Sequence, residues 1–207
     1  MSNQTSFRFQ PWHALIALLV FNLFFAFIVG DQYGQTWDEP SFYLYGERSF
    51  DAYQRGLADQ PLIPEKHIFF LDLRYYGPFY TAVGWKVVDL LGQILSTWGY
   101  YDIWHFVNFI FFQIALISLY WLAKRFLGSW MAFFVVVLFN TQPLIFGHAF
   151  INPKDIPFLV FFMTSVALGL YMVDLIGKME SDEESSIAFP QFQIYLAVLF
   201  ALFIFTF

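Results

Sequence analysis

The chain has 207 residues, of which 59% are hydrophobic and 24% aromatic, while only 13% are charged. Soluble domains carry roughly a quarter charged residues, so this composition excludes an ordinary soluble globular protein. A net charge of −6 with no basic patch argues against a nucleic-acid partner, and the absence of cysteine removes disulfides and thiolate metal sites.

In chain order, the first long apolar run spans about 12–29 and holds one polar residue of note, Asn22. Runs of about 18 or more apolar residues with few charges read as transmembrane helices. Arg8 precedes this run, but no small-residue cleavage site follows it, so an uncleaved first span is expected. Next comes a segment of about 70 residues, 31–102, rich in Tyr, Phe and Leu. That composition argues against disorder, and connections beyond about 12–15 residues are usually functional. It opens with Thr36-Trp37-Asp38-Glu39-Pro40, where Pro at the first turn of a helix and acids at its start suit the helix dipole. Phe42, Tyr45 and Phe50 fall roughly on one face of that helix, as expected of an amphipathic helix resting on a membrane.

The stretch from Pro78 to Trp98 is apolar but carries Lys86 and Asp89 near its middle. Each would cost roughly 2.5–3.5 kcal/mol at a bilayer centre, and Trp85, Trp98, Tyr100 and Tyr101 are interfacial residue types. An interfacial helix is the reading; the alternative, a further span, would move the following loops to opposite faces. Further spans are expected at about 103–123, 130–150, 156–176 and 192–207, the last still apolar where the chain stops. The whole of 1–207 therefore reads as the N-terminal part of a longer polytopic all-α membrane protein. The one adjacent basic pair at a span end is Lys124-Arg125. Basic residues mark cytoplasmic loops, so this turn and the N-terminus are placed inside. The 31–102 loop and the Asn152-Pro153-Lys154-Asp155 turn are then placed outside. The acidic stretch within 177–186 reads as a solvated linker.

Two external polar sites on one face suit interfacial chemistry. A carboxylate at Asp38 or Glu39 could take a proton at the membrane surface, or simply start a helix. Asp155 could cap the fourth span, Lys154 could snorkel, and Arg74 could stack on the tyrosines beside it. Asp38, Glu39 and Asp155 could also hold a hard divalent cation through oxygen ligands, a question the residues leave open. The spans are nearly free of charge, Asp174 near one end excepted. Ion and substrate pathways through a membrane usually carry ionisable residues, so a transporter or channel fragment is the weaker reading, alongside a truncated non-catalytic product.

Three stretches carry a resemblance: Thr36–Pro40 followed by Tyr45-Gly46-Glu47, then Arg74-Tyr75-Tyr76-Gly77-Pro78-Phe79, then Gly147–Phe158 with Asn152-Pro153-Lys154-Asp155-Ile156-Pro157 at its centre. Together they resemble the N-terminal part of GT-C-fold glycosyltransferases. The nearest kind are the phospholipid-carrier-dependent enzymes related to protein O-mannosyltransferases and aminoarabinose transferases. The resemblance implies a GT-C-type helical bundle with a long external first loop containing interfacial helices, in a bacterial plasma membrane. It also implies transfer of a sugar from a polyprenyl-phosphate carrier to a hydroxyl of a protein, lipid or glycan on the outer face. Asp38 matches the family's catalytic base, with Glu39 beside it, and Asp155 matches its second essential acid. Arg48, Arg74, Lys154 and His67 are the donors available to the lipid phosphate. The sequence departs from some relatives at His105 and Ser41, where those carry Arg.

Overall fold

The computed structural model describes residues 9–57, 73, 76–179, 190–196 and 198–199. Among them the secondary structure is helical, with no strand. Helix α1 (Pro11–Val29) begins with Pro at its first position, where the missing N–H is not needed. A 3₁₀ turn, Gly30–Gln32, ends it. Then follow α2 (Glu39–Leu57), α3 (Phe79–Ile94), α4 (Tyr100–Leu127), α5 (Ser129–Asn140), α6 (Pro143–Ile151) and α7 (Asp155–Met179).

Helix α4 is the mast of the bundle. Its 28 residues extend about 42 Å at 1.5 Å each, and it packs against α1, α3, α5, α6 and α7. Asn22 of α1 meets Gln113 of α4, while the turn after α1 meets His105, so α1 and α4 run antiparallel. Ser118 bonds Thr164 at 2.9 Å and Arg125 pairs with Asp174, so α4 and α7 run parallel. The chain between them must therefore return along the bundle.

It does so through α5 and α6, which meet at a bend of 68°. The stretch expected as one span over 130–150 is thus divided into two helices. Pro143 starts α6 and holds the preceding Gln142 extended, at φ −68° and ψ 115°. The Thr141 hydroxyl bonds back to the Val137 carbonyl, closing α5 one turn earlier. The two helices hold 12 and 9 residues, a path of about 31 Å at 1.5 Å per residue, and the bend makes their end-to-end reach shorter.

Helices α1, α4 and α7 are long and apolar enough to cross a membrane, and the bent pair passes the same test when its two helices are taken together. Their outward faces agree. Phe21, Phe24 and Phe27 on α1, Phe134 and Leu138 on α5, and Phe158 and Phe162 on α7 all point outward. Water would penalise so large an apolar surface, whereas lipid would not. Inside, Asn22 donates to Gln113 Oε1 at 3.1 Å and to Asn140 Oδ1 at 2.9 Å, and Asn140 donates back at 3.2 Å. These neutral amides satisfy one another and tie α1, α4 and α5 together, as polar residues do between helices in lipid.

At 16 residues, α3 reaches about 24 Å, short of the roughly 30 Å hydrocarbon core. It lies against α2 and α4. Gly46 of α2 sits on the Thr81 backbone of α3, and Gly84 of α3 lies beneath the Trp104 indole of α4. The two contacts seat the α2–α3 pair on the mast. Lys86 and Asp89 neutralise each other at 2.7 Å on the outward side of α3. Beyond the helical stretch 190–196, the expected span 192–207 lies largely outside the described residues, as do His67 and Arg74.

Candidate functional site

The described parts of the three segments, including 76–79 of the second, converge at one end of the bundle, opposite the Lys124-Arg125 turn. From His105 to Arg125 is 20 residues of α4, about 30 Å. At the far end Arg125 pairs with Asp174 and donates to the Leu170 carbonyl. At the near end lie the start of α2, the end of α6 and the start of α7.

The Asp38 carbonyl accepts the N–H groups of Ser41 and Phe42 at 3.1 and 3.2 Å, so the main chain of Asp38 opens α2. Its side chain is exposed, and among the described residues no group hydrogen-bonds its carboxylate. Trp37, 94% exposed, projects beside it, a residue type that favours the membrane interface.

The next residue has the opposite fate. Glu39 is 0% exposed. One oxygen accepts the Thr36 N–H, while the other accepts the Tyr43 hydroxyl at 2.8 Å and faces His105 Nε2 at 2.8 Å. The ring's other nitrogen faces the Gly30 carbonyl at 3.3 Å. Asn108 donates to the Tyr43 hydroxyl at 3.1 Å and to the Phe150 carbonyl at 2.8 Å, and accepts from the Tyr80 hydroxyl. Burial alone would push the Glu39 carboxyl up. Bonds from His105, Thr36 and Tyr43, with the histidine's charge, outweigh it and hold the carboxyl below its usual range. Burial, then the Glu39 charge, push the Tyr43 phenol well up, so it stays a donor.

On α7 the turn Asn152-Pro153-Lys154-Asp155 builds the second acid. Asn152 Oδ1 accepts the N–H groups of Lys154 and Asp155 at 3.1 and 2.8 Å, and its amide donates to Asp155 Oδ2 at 3.0 Å. The same amide meets His148 Nδ1 at 3.2 Å. Asn152, rather than Asp155, therefore caps the helix, and Asp155 remains exposed.

Asp38 and Asp155, 117 positions apart, line one cleft of about 140 Å³ with Thr36, His148, Asn152 and Lys154. The Thr36 hydroxyl donates to the Ile151 carbonyl at 3.2 Å and joins the two walls. Lys154 and Asp155 also border a larger cleft of about 310 Å³, whose other walls are aromatic: Phe42, Tyr45, Tyr76, Tyr80, Phe158 and Phe161. The Lys154 ammonium stands 5.9 Å from the Tyr76 ring centre, within cation–π range, at the junction of the two.

Of the expected residues, Asp38, Asp155 and Lys154 come together here. Arg48 does not: it is exposed on α2 and lines neither cleft, although Tyr45 one turn earlier does. Glu39 is turned away into the buried network, so the three-carboxylate set for a cation does not assemble. Among the described residues no group of three or more His, Asp or Glu side chains gathers for a metal. Tyr43, Tyr80, Asn108 and Asn152 were absent from the expected set. Asn108 and His105 had a signal, since they stand three apart within an apolar span, and polar residues there usually have a purpose. The chain matches no protein-family model, no curated protein and no solved structure.

Proposed function

We propose that the protein transfers a sugar from a polyprenyl-phosphate carrier to an acceptor hydroxyl at the outer face of a membrane. The observation that carries this reading is the pairing of Asp38 and Asp155 across one cleft that joins an aromatic cleft at Lys154. A hydroxyl is a weak nucleophile and needs a base within reach as it attacks. Asp38 has an accessible carboxylate with no competing donor among the described residues, which suits it to take that proton. As the new glycosidic bond forms, the bond from the sugar to the phosphate breaks, and the phosphate leaves with the bonding pair. Lys154 is the cation at hand for that charge. Asp155, oriented by Asn152, is suited to hold a sugar hydroxyl or Lys154. The aromatic cleft offers an apolar bed for the first units of the prenyl chain. The Lys124-Arg125 end is assigned to the cytoplasm by the charge rule.

The test is transfer from a labelled polyprenyl-phosphate sugar in membranes containing the chain, compared with Asp38→Asn. A fall of about 10²–10⁴-fold at equal expression is the expected result for removing a general base. Undiminished transfer by the variant would remove Asp38 from that role. Wild-type membranes that consume no such donor would sink the transferase reading itself.

A further inference from the structure

The segment between the 3₁₀ turn and α2 has no regular structure, yet it must present Asp38 to Asp155. Glu39 is the group that can hold it. It grips Thr36 on the upstream side and Tyr43 on the downstream side, and it is itself held by His105 from α4. His105 reaches past Glu39 to the Gly30 carbonyl, so one ring spans both ends of the segment that carries the acidic motif. Both ring nitrogens face oxygens of the segment or its flanks. Tyr33, inside the segment, lies edge-on to the same ring at 6.4 Å and stacks on Phe150 at 4.3 Å.

We propose that His105 is a positioning residue: acting through Glu39, it sets the 33–38 segment against α6 so that the Asp38 carboxylate faces Asp155. Its kinetic consequence rests on the transferase reading, while its geometric consequence does not. Neither His105 nor Glu39 lines either cleft, so neither touches substrate in this arrangement. Their effect is exerted through the backbone between Gly30 and Asp38.

The chain has no cysteine, so introduced pairs can be cross-linked without background. Asp38→Cys with Asp155→Cys reports the cleft, and Arg125→Cys with Asp174→Cys reports assembly of the opposite end. Both are joined with the same short bis-methanethiosulfonate reagent in the full chain in membranes. His105→Asn leaves an amide too short to reach Glu39, whereas His105→Gln keeps the reach. His105→Asn should lower the 38–155 yield about tenfold, as losing one charge-assisted hydrogen bond implies. It should leave the 125–174 yield unchanged, and His105→Gln should restore most of the 38–155 yield. An unchanged 38–155 yield in His105→Asn overturns the proposal. Loss of both yields also overturns it, because the ring then holds the bundle and not the segment.

With Asp38 and Asp155 intact, His105→Asn should lower kcat about 10²-fold with little change in KM, the mark of a misplaced reacting group. Wild-type membranes without transfer would end the transferase reading yet leave the cross-linking result to decide the role of His105.

Discussion

Gly46→Ala is the sharpest test of how α2 and α3 are joined. An added Cβ would lie 2.3 Å from the Thr81 carbonyl oxygen and 2.6 Å from its carbon. Ordinary contact begins at 3.4 Å, so the helices must part by about 1.1 Å (3.4 − 2.3). The obstacle is backbone, which cannot rotate away as a side-chain tip would. Overpacking of this kind costs about 1–3 kcal/mol, and the upper end applies where backbone must move. Alanine returns about 1 kcal/mol of helix propensity, which leaves a net loss of about 2 kcal/mol. For a chain of this size that is a fall of about 4–8 °C in Tm. Gly56→Ala, in the same helix but with open space among the described residues, supplies the control and should be neutral or up to about 1 kcal/mol stabilising. Unfolding followed by tryptophan fluorescence in one detergent would compare the two. A Gly46→Ala protein as stable as Gly56→Ala would refute the close approach. Because Phe42 and Tyr45 on α2 face Tyr80 and Thr81 on α3 across the aromatic cleft, the same variant should, under the proposed transferase function, also weaken donor binding.

Two further perturbations probe the interior. Asn22→Leu would leave Gln113 and Asn140 without their shared partner, at a cost of about 0.6–1.7 kcal/mol for a hydrogen bond between membrane helices. An unchanged Tm would show that the amide cluster contributes no cohesion. Glu39, whose carboxyl is held low, binds fewer protons folded than unfolded. Its contribution is therefore complete above the unfolded value of about 4.3 and fades as pH falls through the lower folded value. The wild type should lose Tm more steeply than Glu39→Gln below about pH 4, and parallel curves would contradict the charged, buried carboxylate.

Most of what the chain is made of could be read locally. The apolar runs near 12–29, 103–123 and 156–176 became α1, α4 and α7, because hydrophobicity and Pro or Gly punctuation act over a few turns. The amphipathic helix around Pro40 and the short helix after Pro78 were legible for the same reason. The break at 140–143 was visible as Pro143, but a proline alone does not end a membrane helix, since neighbouring groups can satisfy the freed carbonyls.

Composition and periodicity thus determined the class, the helices and the residues with acid–base capacity. Tertiary packing alone decided which of those residues could use it. Asp38 and Glu39 are consecutive, about 100° apart around a helix, and no local rule says which one faces His105. Only the placement of α4 beside the start of α2 sends Glu39 inward and leaves Asp38 at the cleft. The same placement leaves Arg48 outside both clefts, and the fold over the mast brings Asp155 to Asp38 across 117 residues of chain. Local sequence specifies periodicity, whereas burial of a particular side chain depends on surfaces contributed from far along the chain.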